Sequence, residues 1–343
     1  MPTPFVFLQA AQRVGRAGVV SLGVWALGGL LILPQAMGEE APAKDGGVTY
    51  VLDSSWPPAG APSLGVVSSV AVDRDDTVWI FRRSKPYVEI LSPEGQVLHS
   101  WSASFVRPHT LRLAPDGDVW VSDYVGQVVK KFTRTGQLLL TLGVAGKAGT
   151  DHRHFDLPTD IAVSPQSGDV FVTDGYGNAR IMHFDKEGKY LAEFGHHGAK
   201  PGEMNLPHSL VMDSQGRLYE ADRDNGRLQV FDQSGKLLHV WDFIGAWGLC
   251  ITAKDEVWVC GTSPRPSGHP LWKSAPPRDQ MVMRVNTRGE VLGQWSFPMA
   301  ADYKAEPGQL SWVHCIAVDS HENLYLGDIR GRGLQKFTPQ KKE

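Results

Sequence analysis

The chain has 343 residues, 42% of them hydrophobic, with 37 Gly and 23 Pro: enough apolar material for a large core and enough turn residues for many short strands. Net charge is −3 with no long run of one sign, so the basic face that phosphate binding needs is missing and a nucleic-acid partner is not expected. Three cysteines, Cys250, Cys260 and Cys315, are an odd number and make no disulfide scaffold.

At the N-terminus, Arg13 and Arg16 precede the apolar run VVSLGVWALGGLLIL, residues 19–33, and Ala36-Met37-Gly38 sets small residues before Glu39. This is the layout of an export signal. Residues 1–38 are therefore read as a signal peptide and the mature chain as periplasmic or extracellular. The run falls short of the roughly 20 residues of a spanning helix, so membrane contact follows only if the signal stays uncleaved.

The rest of the chain repeats itself. PHTLRLAPDGDVWVSD from Pro108, PHSLVMDSQGRLYEAD from Pro207 and VHCIAVDSHENLYLGD from Val313 match without a gap. SSVAVDRDDTVWIFR from Ser68, TDIAVSPQSGDVFVTD from Thr159 and WGLCITAKDEVWVCG from Trp247 are the same unit. Each continues into two further apolar stretches around a Gly-containing turn, the pattern of antiparallel β-structure. Six such units, at about 40 residues each, predict an all-β, six-bladed propeller. The blades are read as approximately 64–104, 105–150, 155–200, 205–242, 243–297 and 308–340. The last is one strand short, and VTYVL, residues 48–52, is a strand without a unit, so it is expected to close the ring.

In such a blade the first strand lines the channel, and two crossings bring the end of the second strand back to the face where the first began. The residues starting the first strands are Ser68, His109, Thr159, His208, Trp247 and His314. Histidine thus occupies alternate blades, about 120° apart around one channel mouth. Three His ligands with an open fourth position suit a catalytic metal. On the same face, after the second strands, stand Arg83, Tyr176 and Arg223. Two guanidiniums beside a metal suit a carboxylate substrate. A tyrosine among cations is expected to have its pKa drawn below its ordinary value of about 10, as a base requires.

Asp123, Asp174, Asp222 and Asp328, with Asn178 and Asn225, are expected to cap turns, and His152, His154, His196 and His197 to lie in solvated connections. A proline-rich arm, Gly261–Gln280, interrupts blade five. It is expected on the His-bearing face, with Arg265, Trp272 and Lys273 as substrate contacts.

The unit resembles the NHL repeat, and residues 48–340 resemble the peptidyl-α-hydroxyglycine α-amidating lyase family. The resemblance is carried by PHTL at His109, DGYGNARI at Tyr176, LPHSL at His208, ADRDNGR at Arg223 and WVHCIAVD at His314. It implies a zinc ion on His109, His208 and His314, Tyr176 as base, and Arg223 and Arg83 on the substrate. Two departures stand out. Gly177 replaces a disulfide-forming Cys of the family's animal members, and Cys315 replaces an Asp that supports a structural calcium there, so calcium is not carried over. The implied reaction converts R-CO-NH-CH(OH)-COO⁻ to R-CO-NH₂ and glyoxylate, on a peptide or small molecule with a free carboxylate. Alternatives are a non-catalytic NHL scaffold binding protein, and a lyase for another α-hydroxyglycine adduct such as ureidoglycolate. A six-bladed lactonase of the gluconolactonase type needs channel acids that the six positions compared above do not supply.

Overall fold

The computed structural model describes residues 47–263 and 280–341. The signal read at residues 1–38, and Arg265, Trp272 and Lys273 of the arm, lie outside the described residues. Among the described residues every regular element is a strand, and 24 strands form six four-stranded antiparallel sheets. This is the six-bladed propeller expected from the repeats.

The inner strands are Val67–Val72, Pro108–Leu113, Pro158–Val163, Pro207–Met212, Gly245–Ile251 and Val313–Val318. Each touches the next and the last touches the first, so together they wall a channel. Val48–Leu52 pairs antiparallel with the final strand, Gly333–Lys341, and completes the sixth sheet. The ring is therefore closed by pairing its first described strand with its last.

The second strands, for example Val119–Asp123 and Leu218–Asp222, are buried along their whole length. A strand sandwiched between two blades must be apolar on both faces, and the core accordingly lies in six clusters, one between each pair of successive blades. One aromatic per blade fills that space at the same repeat position: Trp79, Trp120, Phe171, Tyr219, Trp258 and Tyr325, each fully buried. Rings of this kind remove about 150–250 Å² apiece from water, which makes this position the repeat's main apolar anchor.

Aspartates end four of the second strands, and each also pins the loop that enters its own blade. Asp123 accepts from the N–H groups of Val106, Arg107 and Gly126, and Asp328 from those of Ser311, Trp312 and Arg330. Asp174 and Asp222 add the side chains of Asn178 with Arg180 and of Asn225 with Arg227. The loops at the channel mouth are held by buried, charge-assisted bonds, which gives the site above them a fixed floor. All three cysteines are free thiols.

Candidate metal centre and active site

Every inner strand slips register where the sequence reading placed its first channel residue. The shifts span Ser68, His109, Thr159, His208, Trp247 and His314. A bulged residue leaves the ladder, so its side chain turns toward the channel and its carbonyl is released from pairing. Both consequences are used. His109 Nδ1 bonds the Thr159 carbonyl at 2.8 Å, His208 Nδ1 that of Trp247 at 2.6 Å, and His314 Nδ1 that of Ser68 at 2.8 Å. Blades two, four and six supply the imidazoles; blades three, five and one supply the carbonyls that orient them.

A carbonyl only accepts, so each Nδ1 carries the proton and each Nε2 presents its lone pair. The three rings, with centroids 4.8–4.9 Å apart, form the group among the described residues able to hold a metal ion, their ligand atoms all within 4.8 Å of one another. Burial, first, and then neighbouring charge keep them neutral: His109 and His208 fall well below the usual histidine value, and His314 falls to about 3 with Arg83 beside it. His314 Nε2 is buried without a hydrogen-bond partner. Neutral, carbonyl-oriented imidazoles with an orphaned nitrogen are the donor set and supporting shell of a transition-metal site, so the residues present fit such an ion.

Tyr176 stands over this centre. Its hydroxyl lies 3.2 Å from His109 Nε2, 3.1 Å from His208 Nε2 and 3.5 Å from Arg223 Nη1. The Arg223 guanidinium lies 5.4 Å from the Tyr176 ring centre and its Nε bonds Asp224. Local backbone explains how a turn residue reaches so far inward. A Cβ on Gly175 would fall 2.0 Å from the Pro207 carbonyl, so only glycine lets the turn tuck against blade four. Leu157 and Leu206 hold φ of 63° and 67°, a conformation costly for leucine, and their carbonyls receive the N–H groups of Tyr176 and Arg223. Arg83, in blade one, is half-buried with its Nε unpartnered, and its charge is felt at His109 and His314.

Three sequence expectations need correction or extension. The Tyr176 pKa is raised, not lowered: burial of the hydroxyl outweighs the pull of Arg223 and Arg83, a desolvation that a list of nearby charges does not show. Tyr124 belongs to the site as well: its ring lies 5.4 Å from those of both His109 and Tyr176. It follows Asp123 as Arg223 follows Asp222, and that shared repeat position was the available signal. Arg112 and Asp160, on the same inner strands as His109 and Thr159, form an ion pair in the channel that the repeat pattern does not mark. His152, His196 and His197 are exposed and His154 is bonded to Asp151, all outside the triad.

The sequence matches the family described as SMP-30/Gluconolactonase/LRE-like region over residues 103–247. Peptidyl-glycine alpha-amidating monooxygenase B of Xenopus laevis is 30% identical over 91% of this chain and 38% of its own length. The chain thus spans about two fifths of that relative. Peptidyl-alpha-hydroxyglycine alpha-amidating lyase 1 of Drosophila melanogaster is 33% identical over 84% of this chain and 60% of its own. NHL repeat-containing protein 3 of Homo sapiens is 33% identical over 85% of each. A solved streptogramin B lyase shares the fold, with a TM-score of 0.53 at 13% identity over 85% of this chain and 97% of that one. With the alternating histidines, the closed ring and these relatives in agreement, the chain belongs to the NHL-repeat propeller family that contains NHL repeat-containing protein 3 and the peptidyl-α-hydroxyglycine α-amidating lyases.

Proposed function

We propose that the protein is a zinc-dependent lyase that cleaves the N–C bond of a peptidyl- or acyl-α-hydroxyglycine, releasing an amide and glyoxylate. The observation that carries this reading is the Tyr176 hydroxyl lying within 3.2 Å of two converging imidazole nitrogens, with Arg223 beside it. Relatives named as lyases support it. Bound on the three histidines, zinc would supply Lewis-acid polarisation of a substrate oxygen and a positive charge favouring the tyrosine's phenolate.

The chain's own groups do the rest. Arg223 and the unpartnered Nε edge of Arg83 receive the substrate carboxylate and set the α-carbon above the triad. As the phenolate, Tyr176 takes the α-hydroxyl proton; the O–H electron pair becomes the second bond of the aldehyde, and the N–C pair leaves with nitrogen. The same proton then passes from Tyr176 to the departing amide, so Tyr176 ends as it began and no water is consumed. Tyr124 packs against His109, and Tyr176 against His109 and His208, which limits solvent access on that side. An exported location, read from residues 1–38, belongs to the same proposal.

Purified protein incubated with an N-acyl-α-hydroxyglycine should release glyoxylate, and chelation or His208→Ala should abolish it. Tyr176→Phe should lower kcat by roughly 10²–10⁴-fold while metal content is kept. No release from metal-loaded protein would redirect the assignment to another α-hydroxyglycine adduct such as ureidoglycolate. Protein that neither binds metal nor reacts would be a binding scaffold.

A further inference from the structure

Below the triad the channel is stopped by an ion pair. Arg112, from blade two, donates through Nε to Asp160 Oδ1 at 2.9 Å and through Nη2 to Asp160 Oδ2. It also reaches Ser209 Oγ at 3.1 Å and the Leu249 carbonyl at 3.0 Å. Asp160 accepts in addition from Ser209 Oγ and from the N–H groups of Ile161 and Leu210. One guanidinium therefore ties blades two, three, four and five at the channel axis. Between this pair and the triad lies a void of about 10 Å³, bordered by Arg112, Asp160, His208, His314 and Cys315. That is the lower limit for one water, and far too little for a hydrated divalent ion.

The chemistry of the lining agrees. Cys315 follows His314 directly and borders the void as a buried thiol, where a divalent ion of the calcium type would need an oxygen ligand. Asp160 is the one carboxylate bordering the void, and its oxygens are taken. An incoming divalent ion would meet a guanidinium and no unoccupied anionic ligand. The residues here do not fit the structural calcium that the resemblance associates with an Asp at position 315.

We propose that the Arg112 guanidinium is the built-in cation of this channel, replacing a bound divalent ion as the charge that draws the inner strands together beneath the histidines. The inference is independent of the lyase reading, since it concerns how the channel is held and not what reacts above it. A planar, permanently charged fork with five donors can satisfy a carboxylate and two neighbouring strands at once, whereas a metal would need several oxygen ligands converging on it.

The test follows thermal unfolding of the zinc-loaded protein during titration with calcium chloride. The wild type should show no change in Tm. Arg112→Ser combined with Cys315→Asp should start lower and gain roughly 5 °C or more at saturating calcium, while Arg112→Ser alone should stay low and unresponsive. A rise in wild-type Tm with calcium, or a double variant no more responsive than the single one, would overturn the proposal. Should the double variant not fold, Arg112→Lys and Arg112→Met decide. Lysine keeps the charge and should retain more of the wild-type Tm than methionine, which keeps only the length. Equal melting of these two would make the side chain a spacer and refute the cation role.

Discussion

A buried ionisable side chain reveals its role through what its polar atoms touch. The three channel histidines each spend Nδ1 on a neighbouring blade's carbonyl; the Tyr176 hydroxyl reaches Nε2 of His109 and His208, while His314 Nε2 is buried without a partner, an arrangement costly to maintain unless that nitrogen has a ligand. Glu220 is the opposite case. It lies on the second strand of blade four, fully buried, with Oε1 unpartnered and Oε2 only 3.4 Å from the Gln229 side-chain amide. Burial first, and then the charge of Asp222, raise its pKa well above the carboxylic norm, against the pull of Gln229 and Arg227. A raised acid favours folding below its unfolded value of about 4.3 and loses that contribution as pH climbs through the folded value. Glu220→Gln removes the titration while keeping the shape. The variant should gain about 1–2 kcal/mol at pH 8 relative to wild type and show a flatter stability profile above pH 5. Denaturant titrations at several pH values would measure this, and identical profiles for the two proteins would refute it.

At the level of elements, the working parts are the bulged start of each inner strand and the turn after each second strand. Gly175 sits in such a turn, where an added Cβ would meet the Pro207 carbonyl at 2.0 Å and the Thr159 hydroxyl at 2.9 Å. Backbone cannot yield as a flexible side chain can, so Gly175→Ala must push the turn outward and carry Tyr176 away from the imidazoles. Metal affinity should be unchanged, and glyoxylate release should fall about 10²-fold, the usual consequence of an ångström-scale misplacement. Parallel loss of metal would show instead that the turn supports the triad itself. The alternating histidines were legible in the sequence because the repeat supplies its own register. Gapless alignment of PHTL, PHSL and VHCI fixes their shared face. The carbonyl partners were not, because a bulge frees a backbone atom without marking the side chain that precedes or follows it. Arg112 was equally hidden: at four residues into its unit it reads as an exposed strand position, and only the narrow channel brings it against Asp160. The Tyr176 pKa went the wrong way because burial of one hydroxyl depends on Tyr124 and the facing blades, which no local pattern encodes.

The whole molecule depends on a closure made by residues 285 positions apart: Leu52 is paired with Phe337. Without Val48–Leu52 the sixth sheet would end at Gly333–Lys341, presenting an unpaired edge open to other chains. The strand also reaches beyond its own sheet. The Tyr50 ring packs edge-on against Trp295 at 4.9 Å and Trp258 at 6.4 Å, its hydroxyl bonds the Glu322 carbonyl, and Trp295 donates to the Val48 carbonyl. It therefore joins blade six to blade five as well as sealing the ring. Tyr50 is half-buried, so its loss should cost less than the about 3–5 kcal/mol of a fully buried aromatic, and a ring, unlike an open repeat array, spreads that loss to both neighbours of the break. A chain beginning at residue 54 should melt at least roughly 6 °C lower than one beginning at residue 39, and should associate on concentration through its exposed edge. A peptide spanning residues 46–54, added in trans, should recover part of the difference, because the missing strand needs only a groove and a ladder to bind. Scanning calorimetry with and without the peptide checks this. Melting of the truncated chain within about 2 °C of the longer one would mean that the six inter-blade clusters hold the ring without its latch.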